Sequence, residues 1–476
     1  MSNTDFIHGK SLELLSKVGM RVMHPEMLGM LRKRGFSVDG ELVRFQAGPL
    51  MELVGLSPGG FTMKARNPRY DLRLDGTEVN FFPGYGCSSI TDIDGSQRDA
   101  TSSDYKTFLK LIEASPIFKI NGGIVCQPQD LPPQSIWASM TYMILTHSEK
   151  VIFGMPGERR LIEEIMALSA IANGGEEEFK RAPRVMTMLS TLSPLQIDKS
   201  NIDSCLVSAS LNQPLMVSSG PMAGATGPIN LEANIVMGNA EILATIAICQ
   251  LIKPGTPVMY GLQATTTDMR TGGISIGSPG YALQAKYCKA MADYYGLPCR
   301  CGGTVNDAKE LSLQSSYESF LPLFTTMQNK VDLIVHSNGI LNSFGSMSYE
   351  KFIVDLEIIS MVSYFLKDLD FDDRTVDLGL FERIGPGGLF LNARDTLAKC
   401  RSVPWKPIVS HRGLLPKGRR LGDQLLENIN KAKDGILSGY VLPSLDAGVV
   451  RDLDRFMSGL GFDRTTLDRI KPGNLA

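Results

Sequence analysis

An excess of basic charge is missing from this chain. Lys and Arg number 48 against 50 Asp and Glu, leaving a net charge of -2 and a pI near 6.3. No positive field therefore draws the protein to nucleic acid or to an anionic membrane surface, and neither is expected as a partner. No apolar run reads as long enough to span a membrane, and the opening MSNTDFIHGK lacks the basic-then-apolar order of an export signal. The expected location is the cytoplasm. The eight cysteines are scattered, most of them inside apolar segments, which suits reduced, buried thiols better than a disulfide framework. A G-x-S-x-G elbow is absent, which argues against a hydrolase of that design. The glycines of FPGYGC, from Phe82 to Cys87, are not followed directly by a helix, as a nucleotide-binding loop requires.

What is present is an alternation. With 476 residues, 43% apolar and 21% charged, the chain can build a large core and carry additions to it. Short apolar runs begin at Val79, Phe118, Lys150, Arg184, Pro214, Thr256, Cys299 and Val331, and helical stretches such as Asp104 to Ala114, Glu158 to Ala172 and Tyr349 to Leu366 follow them. Strand then helix, recurring eight times, predicts an α/β fold with a parallel sheet and right-handed crossovers, a (β/α)8 TIM barrel. A doubly wound open sheet is the runner-up. The division expected is an N-terminal helical and mixed addition over residues 1–78, the barrel over 79–370, and a helical C-terminal extension over 371–476 packing on the barrel. Two insertions follow strands. Ser89 to Thr101 reads as a hairpin turning at Asp94-Gly95, and the loop after the sixth strand runs unusually long.

Barrels keep their chemistry at the carboxyl ends of their strands. The stretch VDLIVHSNG delivers His336 there, and the following loop carries Phe344. Phe81, Tyr85 and Tyr260 are further aromatic candidates. Rings converging on one cavity suit a quaternary ammonium ion, which cannot form hydrogen bonds and is held by ring quadrupoles. In CRC, Cys299 and Cys301 share one face and Arg300 takes the other. A guanidinium under the helix layer would be costly, so Arg300 is expected in the barrel mouth, where it can clamp a carboxylate. His336 is the candidate catalytic residue, orienting that carboxylate or an ordered water. Arg270 in the long loop is a weaker anion contact. No bound metal is expected, because thiols on the helix side of a strand cannot meet a histidine in the lumen.

At YGLPCRCGGTVNDAK (Tyr295 to Lys309), HSNGIL, and DLGLFERIGPGGLFLNARDT with PWKP downstream, the sequence resembles the trimethylamine methyltransferase family, in its large branch that lacks pyrrolysine. The likeness spans most of the chain. Family members usually carry histidines in the stretch occupied here by Leu389 to Thr396. Pyrrolysine-bearing members place that residue near Asn342 to Phe344, where this chain has ordinary residues. The resemblance implies a (β/α)8 barrel with no tightly bound cofactor. It implies methyl transfer from glycine betaine to the Co(I) of cobalamin carried by a partner corrinoid protein, with proline betaine or carnitine as alternative donors. A betaine-binding protein without turnover and a zinc-dependent barrel enzyme are the rival readings. Apolar faces on the terminal helices make a homo-oligomer an expectation as well.

Overall fold

Eight short runs rich in Val, Ile, Leu, Met and Phe form the parallel ring expected of them. In the computed structural model, which describes residues 2–473, these strands are β1 (Asn80–Phe81), β2 (Ile120–Gly122), β3 (Val151–Phe153), β4 (Val185–Ser190), β5 (Leu215–Ser219), β6 (Val258–Leu262), β7 (Arg300–Gly302) and β8 (Leu333–Val335). Neighbours pair in parallel from β2 through β6, and from β7 through β8 to β1. Parallel bridges Phe81 to Phe118 and Tyr260 to Cys299 close the circle. The helices between them are α1 (Ser102–Ala114), α2 (Ile136–His147), α3 (Arg159–Ala172), α4 (Lys199–Ser210), α5 (Leu231–Ile252), α6 (Pro279–Tyr294), α7 (Leu313–Gln328) and α8 (Tyr349–Phe365).

Alternation along the strands divides the core in two. Ile120, Val151, Phe153, Met186, Met216, Met259, Leu333 and Val335 point into the lumen, where Phe82 and Tyr85 join them. Met63, Leu72 and Leu74 belong to the same cluster. They come from an antiparallel hairpin, Phe61–Met63 with Leu72–Leu74, that stops the end of the barrel where the strands begin. The intervening residues, Ile152, Val217, Tyr260, Cys299 and Cys301 among them, face the helices. Chain direction puts α-helix N-termini at the opposite, open end.

The N-terminal segment mixes helices with short strands. Helices Asn3–Lys17 and Pro25–Arg34 are separated by a strand, Met20–Val22, which pairs with Leu42–Arg44 and with Gln196–Ile197 of the loop after β4. Gly35 ends the second helix at a φ of 100°, a conformation open to glycine without steric cost. Helices Asn3–Lys17 and Ala47–Val54 lie on α5. That covering corrects one expectation. At 22 residues α5 is long and apolar enough to cross a membrane, yet it is mostly buried inside the protein, sandwiched between barrel and addition. Its lack of a polar face follows from having no exposed face.

The C-terminal extension wraps the opposite flank. Helix Leu421–Ser438 packs on α8 and α1, Ala447–Gly459 on α3, and Arg464–Ile470 on α2. Glu357 of α8 anchors the approach by accepting hydrogen bonds from the Ile408, Val409 and Ser410 amides. The hairpin inserted after β1 forms as expected, Ser89–Thr91 against Gln97–Asp99. Arg98 ties it to Asp104 at 2.8 Å, and the Tyr349 hydroxyl reaches the same carboxylate at 2.8 Å.

Candidate functional site

The site is built from the ends of strands at the open face. β8 stops at Val335, and His336 turns the chain with a left-handed φ of 50°, an uncommon conformation for a residue with a Cβ. Surrounding bonds hold it there. The Thr304 amide donates to the His336 carbonyl at 3.0 Å, and the Ser337 amide donates to Phe82 O at 3.0 Å. The Gly339 amide donates to Asp355 at 2.8 Å. Beyond this turn Ile340–Leu341 and Ser346–Met347 form a small antiparallel ribbon. Its tip, Asn342, Ser343 and Phe344, takes three consecutive left-handed conformations with φ of 54°, 51° and 74°. Such a run costs on the order of 1–3 kcal/mol per residue and needs external bonds to persist.

The ribbon tip lays Phe344 beside His336, ring centroids 4.6 Å apart. On the other side Tyr85 stacks on the imidazole at 4.0 Å with planes 21° apart. Tyr85 in turn meets Phe153 at 5.1 Å and Phe82 at 5.6 Å, and its hydroxyl donates to Met188 Sδ at 3.3 Å. The result is an aromatic wall along one side of the mouth.

Arg300 stands close by and is almost wholly buried. Its guanidinium donates to Gln263 Oε1 and to Ser218 Oγ. Both partners are neutral, so the charge is not cancelled by an ion pair, a costly state for a buried cation. Among the described residues, Arg300 Nε and His336 Nδ1 are buried without a hydrogen-bond partner. Room for the arginine is made by Gly261, where a Cβ would come within 2.8 Å of Arg300 Nε and 2.7 Å of Val217 O. Burial pushes the His336 imidazole well below its ordinary value and the Arg300 charge acts in the same direction, so His336 is neutral at pH 7. Burial also raises the Tyr85 phenol, an effect the Arg300 charge partly offsets. The side chains thus present neutral rings, one uncancelled positive charge, and unfilled donor or acceptor positions.

Tyr85, Arg300, His336 and Phe344 come together in this mouth. Phe81 and Tyr260 do not, and the expectation for those two is corrected. Phe81 points outward and packs against the helix-side clusters, while its neighbour Phe82 takes the lumen. Tyr260 also faces the helices, donating its hydroxyl to Asn239 Oδ1 of α5 at 2.8 Å. Arg270 is exposed in the long loop and is paired with Asp268. Cys299 and Cys301 face the helix layer, away from His336. Among the described residues, no cluster of three or more His, Cys, Asp or Glu side chains is arranged to hold a metal. The sequence reading missed Ser218, Gln263, Gly261 and Met188. The Ser-Ser pair closing PLMVSSG placed a polar side chain at a strand end and was the signal available for Ser218.

The chain is similar to known proteins over most of its length. The family model described as trimethylamine methyltransferase (MTTB) matches residues 2–459. A glycine betaine methyltransferase of Desulfitobacterium hafniense (strain Y51) is 33% identical over 455 residues, spanning 96% of this chain and 95% of that protein. A proline betaine:corrinoid methyltransferase of Eubacterium limosum is 28% identical, spanning 96% of each. Among solved structures, the Methanosarcina barkeri monomethylamine methyltransferase shares the fold with a TM-score of 0.54 and 11% identity, over 92% of this chain and 88% of that one.

Proposed function

The chain belongs to the trimethylamine methyltransferase family, and from that premise we propose that it moves a methyl group from glycine betaine to the Co(I) of a separate corrinoid protein. Proline betaine and carnitine are the alternative donors, since each also joins a methylated ammonium to a carboxylate. The observation that carries the reading is the uncancelled Arg300 guanidinium beside the stack of Tyr85, His336 and Phe344. The first suits a carboxylate, and the second suits the cation at the other end of the same molecule.

In this scheme Arg300 clamps the carboxylate, with Gln263 and Ser218 fixing the plane of its guanidinium. Neutral His336 completes the polar end through Nδ1, and Tyr85 and Phe344 face the ammonium. One N-methyl group then points outward to the methyl acceptor. The Co(I) electron pair forms the new Co–C bond as the C–N bond breaks, and its electrons stay on nitrogen. Dimethylglycine leaves as a neutral amine at its nitrogen, so no general acid is required. Catalysis rests mainly on holding a near-attack geometry. The rings face a charge that vanishes as the reaction proceeds, so tight ground-state binding would raise the barrier, and affinity is modest. Cobalamin enters with the partner, and the chain itself holds no tightly bound cofactor.

The test is incubation with glycine betaine and chemically reduced cobalamin, reading methylcobalamin by absorbance and dimethylglycine by mass spectrometry. Equal amounts of both are expected. Binding of betaine without product would favour a sensing protein, and activity lost on chelation would favour a metal-dependent enzyme.

A further inference from the structure

Residues 367–403 leave the end of α8 and return to it. The Tyr364 hydroxyl donates to Val403 O at 2.8 Å, and Trp405 Nε1 donates to Ser360 Oγ at 3.0 Å. The arm therefore begins and ends on neighbouring turns of one helix. Between those points it is ordered into short helices, Leu378–Ile384 and Arg394–Lys399, and the Phe381 and Phe390 rings meet at 5.7 Å. Yet no side chain from 367 to 403 is buried. Phe371, Leu391 and Leu397 are 82%, 73% and 78% exposed. Together the arm's large apolar residues leave on the order of 1,000 Å² in solvent, more than the few hundred Å² usual for a monomer's largest apolar patch.

A second bare surface adjoins it. The outer face of α7 carries Leu313, Tyr317, Phe320 and Leu321 at helical spacing, and Leu313 is 87% exposed. Phe320 stacks on Phe324 at 5.9 Å, and Phe324 meets Phe365 at the end of α8 at 5.7 Å. The stripe thus runs without a break into the base of the arm. An apolar helical stripe of this kind marks a face that packs against another element.

We propose that the α7 stripe and the 367–403 arm are covered by the same surfaces of a second copy of this chain. Three features select that occupant. The exposed area reaches the roughly 800 Å² that each partner contributes to a standard stable interface. The charge is self-complementary: residues 368–377 carry five Asp against one Arg, whereas 378–420 carry nine Lys and Arg against two acids. A two-fold axis sets the acidic start of one arm against the basic return of the other. Lastly, the arm and the Phe324 end of the stripe lie at the end of the barrel remote from Arg300 and His336, because barrel helices run opposite to the strands, and only the Leu313 end of α7 approaches the open face. A methyl acceptor must reach the mouth and leave again, whereas this surface calls for permanent cover.

The experiment is sedimentation of the full chain alone, at micromolar concentration, with amide hydrogen exchange read over 378–403. The expected wild-type mass is twice 52.0 kDa. Tyr317→Glu and Leu391→Glu alter exposed positions and should each halve that mass with an unchanged circular dichroism spectrum and faster exchange in the arm. A wild-type chain that sediments as a single copy overturns the proposal, as does persistence of the pair in both variants. Protection of the arm appearing only when a corrinoid protein is added would assign the face to that protein and would equally overturn it.

Discussion

The Ser343 hydroxyl donates to Asp307 Oδ1 at 2.6 Å, and this contact ties together three loops of the mouth. Asp307 follows β7, Ser343 sits in the left-handed tip after β8, and the Ile276 and Gly277 amides from the long loop after β6 donate to the same carboxylate at 3.1 and 2.9 Å. The strained tip that sets Phe344 on His336 is thus held from outside.

Loss of that hold should be read in substrate affinity before turnover. A hydrogen bond to a charged group contributes about 1.5–3 kcal/mol. Ser343→Ala is expected to raise KM for glycine betaine by about ten-fold, with Asp307→Asn worse because two amides also lose their carboxylate. Steady-state kinetics check this, and an unaltered KM in both variants would detach the tip from binding.

Arg300→Ala removes the proposed carboxylate clamp. It should weaken glycine betaine binding by about 100-fold or more, in keeping with a truncated buried charge pair. Binding of tetramethylammonium, which has no carboxylate, should be far less affected. Calorimetric titration with the two ligands separates the roles, and equal losses for both would point to general damage to the mouth.

Gly261→Ala probes the same arginine from beneath. The added methyl meets Arg300 Nε and Val217 O at distances real side chains do not tolerate, and overpacking of this kind costs about 1–3 kcal/mol. Urea denaturation should show that loss, and KM should rise with it. A variant of normal stability and normal KM would mean that Arg300 is not fixed by its passage over residue 261.

Site and scaffold should respond differently to acid. Tyr85 is pushed up and His336 well down, so betaine binding should be flat from pH 6 to pH 8. Burial lowers the His147 imidazole from 6.5 to about 4. Unfolding therefore takes up a proton in that window, and stability falls as pH drops from 6.5 towards 4, by on the order of 3 kcal/mol at the lower end. Denaturation at several pH values checks the slope, which His147→Gln should reduce.

The barrel was legible because each strand of a parallel sheet is buried on both faces and so reads as a short apolar run punctuated by glycine. Arg300 was legible for a related reason, since CRC alternates and only one face tolerates a charge. Alternation could not orient the Phe81-Phe82 pair, in which both neighbours are equally apolar. Nor could it reveal that Tyr260 finds its hydroxyl partner in Asn239, which arrives from α5. Gln263 and Ser218 become partners of one guanidinium only when the ring closes. The all-round burial of α5 depends on the N-terminal addition, so its sequence carries no amphipathic trace.

The hairpin carrying Met63, Leu72 and Leu74 packs into the lumen cluster at the end where the strands begin, away from the mouth that holds His336. In the proposed reaction donor and spent amine both pass the mouth, and a corrinoid protein docked over it would close that route. Under that reaction the expected order is betaine first, then the corrinoid protein, with dimethylglycine leaving after that protein withdraws.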